Sequence, residues 1–253
     1  MIYTYRKMNT KLISQQALDI INQYKNFQIG NAICSVPYFN NKTTKQRASL
    51  GVFIGKGSPR DIYDETRAIL VKEKISETSL NSEELKKILV DKGLGIDCSS
   101  FVYYVLDVPD KHLHFPFAKG ILGKLRAKLR PVENTNVATL ADNRNSKIIP
   151  ITEIQPGDII TMINNEERDH ILLINQIEYQ NFKPITIHYV HAVAWPTDGE
   201  YGHGIHEGKI EILDLDKKIT EQKWIENDKI GDENYTFTRA SKSQTELRRL
   251  AFL

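Results

Sequence analysis

Gly95-Ile96-Asp97-Cys98-Ser99-Ser100-Phe101-Val102-Tyr103-Tyr104-Val105-Leu106 passes from a glycine-punctuated turn into a helix, with Cys98 at the junction. Cys98, Phe101, Val102, Val105 and Leu106 fall on one helical face, so the thiol begins a core-facing stripe. The first turn of a helix carries unpaired N–H groups and a partial positive charge, which depress a thiol's pKa and favour the thiolate. Two readings of Cys98 stand side by side: an activated nucleophile, or a small buried hydrophobe.

Outward from this stretch, several short segments look like those of one family. Asp97-Cys98-Ser99-Ser100-Phe101-Val102 resembles the D-C-S-G-F-V signature of the NlpC/P60 cysteine peptidases. Ile154-Gln155-Pro156-Gly157-Asp158-Ile159-Ile160 is similar to the family's L-x-P-G-D-L-V, and Asp169-His170-Ile171-Leu172-Leu173-Ile174 to its H-V-G-I-Y strand. Val190-His191-Ala192 resembles its I-H-A, and the four segments occur in the family's order. The resemblance implies an α+β, papain-like fold, with the nucleophile at the N-terminus of a helix packed on an antiparallel sheet. It also implies that Cys98 is the nucleophile, His170 the base and His191 the orienting third residue. Asp97, Ser99 and Ser100, which flank the nucleophile, are the expected substrate-binding positions. Val36-Pro37-Tyr38-Phe39 resembles the P-Y that brings a phenol to the nucleophile, which makes Tyr38 a further active-site candidate. Ser100 stands where the family most often has glycine, and the separation of His170 from His191 exceeds the short hairpin usual there.

The activity implied is hydrolysis of an amide bond in a cell-wall-type or related small peptide through a Cys-His-His triad, without a cofactor. A peptide or muropeptide is the expected partner. Three alternatives remain open: a thiol acyltransferase of the same fold, a zinc-dependent hydrolase, and a non-catalytic binding module. The zinc reading comes from His188, His191, His203 and His206, whose H-x-x-H spacings join Cys98 as candidate ligands. On strands such pairs point to opposite faces, and the Gly-rich stretch Asp198 to Gly208 reads instead as a loop at the cleft rim. His112 and His114, in an aromatic loop, form only a weak metal motif.

With 253 residues, 40% of them hydrophobic and 26% charged, the chain has an ordinary globular composition and no sign of disorder. A net charge of +2 gives no reason in the total to expect nucleic acid or a membrane as partner. Cys34 and Cys98 are the only cysteines; pairing them would consume the proposed nucleophile, so two free thiols are expected. A polar N-terminal stretch and the absence of an apolar run near ~18 residues predict a cytoplasmic protein. No repeat or low-complexity linker divides residues 1–253, so a single domain is expected, with a helical insertion at about 46–94.

The helices expected are Ser14 to Tyr24, one opened by Ser58-Pro59-Arg60-Asp61, and one from Asn81-Ser82-Glu83-Glu84 to Gly93. Strands are expected at Ala32 to Val36, Asp158 to Ile163, His170 to Ile177, Ile185 to Ala194, Ile210 to Leu213 and Tyr235 to Thr238. Lys124-Leu125-Arg126-Ala127-Lys128-Leu129-Arg130 alternates basic and apolar residues and reads as a solvated basic edge, with binding of an anionic substrate or polymer as the alternative.

Overall fold

The computed structural model describes residues 8–39, 51–109, 112–164 and 166–253. The first half carries β1 (Met8–Leu12), α1 (Gln15–Lys25), β2 (Phe27–Ile29), β3 (Ala32–Cys34), α2 (Pro59–Glu73), α3 (Ser82–Asp91) and α4 (Cys98–Val105). Next come α5 (Gly120–Leu129), α6 (Pro131–Asn134), α7 (Val137–Ala141), β4 (Ser146–Ile148), β5 (Ile159–Ile163), β6 (His170–Gln180) and β7 (Lys183–Val193). The last part is α8 (Gly199–Gly202), β8 (Gly204–Glu211), β9 (Lys223–Glu226), β10 (Lys229–Ile230), α9 (Tyr235–Ser241) and β11 (Gln244–Leu250).

The architecture is α+β, built on an antiparallel sheet in the order β10-β9-β8-β7-β6-β5-β11-β4. β1 joins it beside the far half of β6, from Leu12↔Gln176 to Met8↔Gln180. Side chains alternate across a strand, and here both faces are covered. Ile171 and Leu173 of β6 enter one apolar layer with Tyr24, Phe101 and Val102; Leu172 and Ile174 enter the opposite layer with Trp224 and Leu247. β6 and β7 pair from Leu173↔Val190 toward the Gln180↔Lys183 hairpin, so His170 and His191 lie beyond the last paired position. α4 packs across both strands at that end.

The helix starts follow from local capping. Ser58 and Asp61 form a reciprocal capping box with Pro59 at the first helical position, and Asn81 and Glu84 form a second. Of the expected insertion, residues 46–50 lie outside the described residues. The two helices are integral to the fold, since Ile62, Leu70, Leu85 and Leu89 share one buried core with Phe101. α1 begins where expected, with Ser14 as its cap.

Other expectations need correction. Tyr235 to Thr238 is helix, not strand: the Asn234 side chain accepts from the Phe237 N–H at 3.0 Å, and this cap outweighs the β preference of the aromatic residues. The strand at Ala32 pairs with β2 in a separate hairpin instead of joining the main sheet. The stretch read as a Gly-rich rim loop becomes strand from Gly204 onward. The basic-apolar alternation of Lys124 to Leu129 lies in helix α5. β1, wholly exposed, and β11 were not anticipated, because neither shows an apolar alternation.

Candidate active site

Cys98 is the first residue of α4, and Asp97 is its cap: one Asp97 oxygen accepts from the Ser100 N–H at 2.8 Å and the Ser99 hydroxyl at 2.9 Å. The other oxygen meets Lys56 Nζ at 2.8 Å in a pair with only 10% and 13% of the side chains exposed. Lys56 also donates to the Thr135 carbonyl at 2.7 Å and lies 3.2 Å from Ser99 Oγ. Asp97 and Ser99 therefore have their polar atoms engaged inside the fold, where they hold the start of the nucleophile helix. Ser100 is fully buried and its hydroxyl has no partner among the described residues.

The thiol does not have the depressed pKa expected of a helix start. Cys98 is 4% exposed, and burial pushes its pKa up to about 12, with the nearby Asp97 carboxylate adding to the rise. Arg239, Lys56 and a hydrogen bond from the Ile171 N–H oppose this without overcoming it. The physical reason is that the partial charge of one helix turn is smaller than the cost of an anion in an apolar layer.

The Ile171 amide against the thiol belongs to the residue after His170. His170 Nε2 lies 2.7 Å from His191 Nδ1, bridging the end where β6 and β7 no longer pair. His191 Nε2 lies 3.2 Å from both oxygens of Glu226, which also accepts from the Tyr189 hydroxyl at 2.8 Å. His206 Nδ1 is 3.3 Å from Glu226, and its Nε2 is 3.4 Å from Asp198. Burial works against a charge on Glu226, but His191, His206 and Tyr189 overcome it and hold the carboxyl well below the usual range. An ionised carboxylate only accepts, so His191 Nε2 carries the proton and His191 Nδ1 is the lone pair. His170 Nε2 must then be the donor of the 2.7 Å bond. What remains on His170 is Nδ1, a bare lone pair, buried and without a hydrogen-bond partner among the described residues. Burial first, then Arg239 and His191, keep His170 neutral, with its pKa well below the usual value. Arg239 Nη2 donates to the carbonyls of Arg168 and Asp169, at 2.6 and 3.3 Å, so the same guanidinium holds the backbone that leads into His170.

The register explains how Glu226 reaches this chain. Tyr189 of β7 faces Gly208 of β8, and Gly208 faces Glu226 of β9. With no side chain at Gly208, the phenol crosses β8 to the carboxylate; an added Cβ would overlap the Tyr189 ring. His188 lies on the other face of β7, where its Nε2 is 3.0 Å from Glu178.

Tyr38 comes to the same end of the molecule despite its distance in sequence, through a parallel bridge to Ile96, two residues before Cys98. Lys56 forms an antiparallel bridge to the same residue, Ile96. Tyr38, Arg168, Ala194 and His203 help line a cavity of about 320 Å³. Both cysteines are free thiols. Among the described residues no group of three or more His, Cys, Asp or Glu side chains is arranged to hold a metal; of the histidines offered as zinc ligands, His191 and His206 meet at Glu226 while His188 meets Glu178. Nor is any helix among those residues long and apolar enough to cross a membrane.

The structure brings His170, His191 and Cys98 to one end of β6 and β7, and adds Glu226, Tyr189, Lys56 and Arg239, which were not anticipated. Lys223-Trp224-Ile225-Glu226 reads like any alternating edge strand, and nothing in it marks Glu226 as buried. No protein-family model, curated protein or solved structure matches the chain.

Proposed function

We propose that the protein is a cysteine hydrolase of NlpC/P60-like, papain-type arrangement, acting on an amide bond of a small cell-wall-type peptide. The observation that carries this reading is the direction of the hydrogen bonds from Glu226 through His191 to His170, which leaves a lone pair on His170 Nδ1. A nucleophile, a base and an orienting chain are the three parts that thiol acyl chemistry needs.

With a neutral thiol and a neutral imidazole at rest, proton transfer accompanies attack. The Cys98 sulfur bonds to the substrate carbonyl carbon as its proton passes to His170 Nδ1. The tetrahedral oxyanion takes hydrogen bonds from backbone donors at the start of α4, the Cys98 N–H among them. Its collapse breaks the C–N bond, and His170 returns the proton to the leaving amine. Water, deprotonated by the same nitrogen, then cleaves the thioester and restores the thiol. Glu226 stabilises the imidazolium states through His191.

The test is turnover of small cell-wall-type peptides containing a D-amino acid, with mass spectrometry of the enzyme during reaction. An acyl adduct on Cys98, and a loss of about a thousandfold in His170→Ala, support the reading. Equal cleavage by wild type and His170→Ala would overturn it. The buried, neutral thiol favours a second reading, a binding module without turnover. In that case Cys98→Ser binds the peptide as wild type does, and no adduct forms with any acyl donor.

A further inference from the structure

Helix α5 turns the usual arrangement of a surface helix inside out. Its one fully buried residue is Ala127, while Ile121, Leu122, Leu125 and Leu129 are 86%, 81%, 51% and 72% exposed. At about 100° per residue these four fall within an arc of about 100°, on the side opposite Ala127. Phe117, just before the helix, is 64% exposed and adds to the apolar surface. On the same helical wheel Lys124 and Lys128 flank one side of the arc and Arg126 the other. These three and Lys119 are exposed, and among the described residues none of the four forms an ion pair. From Ala118 to Val132 the sequence has no acidic residue.

We propose that α5 is a membrane-surface helix, which lies flat on an anionic lipid bilayer with Ile121, Leu122, Leu125 and Leu129 in the acyl boundary and the flanking cations at the headgroups. A monomer seldom leaves a row of large apolar side chains in water without a partner for them. The cations select among possible partners. A second copy of this chain, docked face to face by a twofold axis, would set Lys124, Arg126 and Lys128 against their own counterparts. An anionic surface answers both features, the apolar arc by burial and the flanks by charge. The helix is ten residues, about 15 Å long, so it lies on a bilayer and does not cross it. The net charge of +2 conceals this, because the cations are local while the compensating acids lie elsewhere. α5 is also tied to the nucleophile's helix: α6 follows it directly, and the next residue, Thr135, gives the carbonyl that accepts from Lys56, the partner of Asp97. The inference does not depend on the hydrolase reading.

The experiment is flotation of the full chain with phosphatidylcholine vesicles, with and without phosphatidylserine. Binding is expected only to the anionic vesicles and is weakened by salt. Lys124→Gln and Lys128→Gln each weaken it about fivefold. Ile121→Ser combined with Leu125→Ser abolishes it, with the thermal transition unchanged because both side chains are exposed. As a second readout, Leu122→Trp shows a blue shift of its fluorescence on anionic vesicles. The proposal is overturned by no flotation with anionic vesicles, by flotation indifferent to the α5 variants, or by a stable dimer in solution that Leu122→Glu dissociates. Retention of the chain by an acidic protein through α5, without vesicle binding, overturns it equally.

Discussion

Two polar systems flank Cys98. On the helix side, Lys56, Asp97, Ser99 and the Thr135 carbonyl form a closed set in which both Asp97 oxygens and the ammonium have partners. On the sheet side, Glu226, His191 and His170 form an open chain whose last nitrogen has none among the described residues. The closed set holds the start of α4; the open chain ends in a buried lone pair on the nitrogen that the proposed mechanism assigns to the proton of Cys98. A buried polar group without a partner costs stability, so its retention marks the place where chemistry is to be sought.

The comparison is tested first where the largest stability effect is expected. Lys56→Met leaves the Asp97 carboxylate nearly buried without its cation and is expected to cost about 3 kcal/mol in chemical denaturation. A loss below about 1 kcal/mol would show that the closed set is not what holds the start of α4.

Gly208→Ala probes the support of the open chain. The new methyl group overlaps the Tyr189 ring, and a cost of about 1–3 kcal/mol is expected from overpacking. Tyr189→Leu in the same chain should recover most of it, because the side chain that crosses β8 is then gone. No recovery in the thermal transition would mean that Gly208 serves the backbone and not the phenol.

The pH dependence of stability sharpens the contrast further. Burial holds the folded pKa values of His170 and His191 below the usual imidazole value of about 6.5, so the unfolded chain takes up protons first as pH falls. Stability is therefore expected to decline from about pH 6.5 downward. Glu226, depressed below 4.5, contributes stability in full above that value, and this is lost as pH falls through its folded pKa. Glu226→Gln should be less stable than wild type by about 1–3 kcal/mol at neutral pH, with a shallower decline below pH 4.5. The same variant is expected to lose about ten- to a hundredfold in turnover, since an amide can donate to His191 and reverse the tautomers. Parallel stability curves for the two proteins would remove Glu226 from the chain.

The smallest effect concerns the two thiols. Cys34 is half-buried with its pKa raised to about 11, against about 12 for the buried Cys98. Iodoacetamide is expected to label Cys34 several-fold before Cys98 in the resting protein. Labelling of Cys98 first would mean that the helix start dominates burial after all.

Much of the site's raw material was legible. Cys98 at a helix start, His170 at the mouth of a strand and His191 on the face opposite His188 follow from local pattern, and each occupies that local position in the fold. Capping chemistry marked the starts of α1, α2 and α3. The failures share a cause. Glu226, Lys56 and Arg239 carry no local sign of burial, because a charged residue in an alternating strand or a short helix is usually solvated. The Tyr235 to Thr238 helix turns on one asparagine cap, and the alternation in Lys124 to Leu129 has the period of a strand although the segment is helical.

By itself, then, the sequence determined the period of its elements, their caps and the residue types able to do thiol chemistry, because these depend on neighbours along the chain. Tertiary structure alone decided the protonation of the thiol, the tautomers of the two histidines and the exposed apolar arc of α5. Each depends on burial or on a partner far away in sequence: Ile171 against Cys98, Glu226 beyond Gly208, and the packing of Ala127 that turns four large apolar side chains outward.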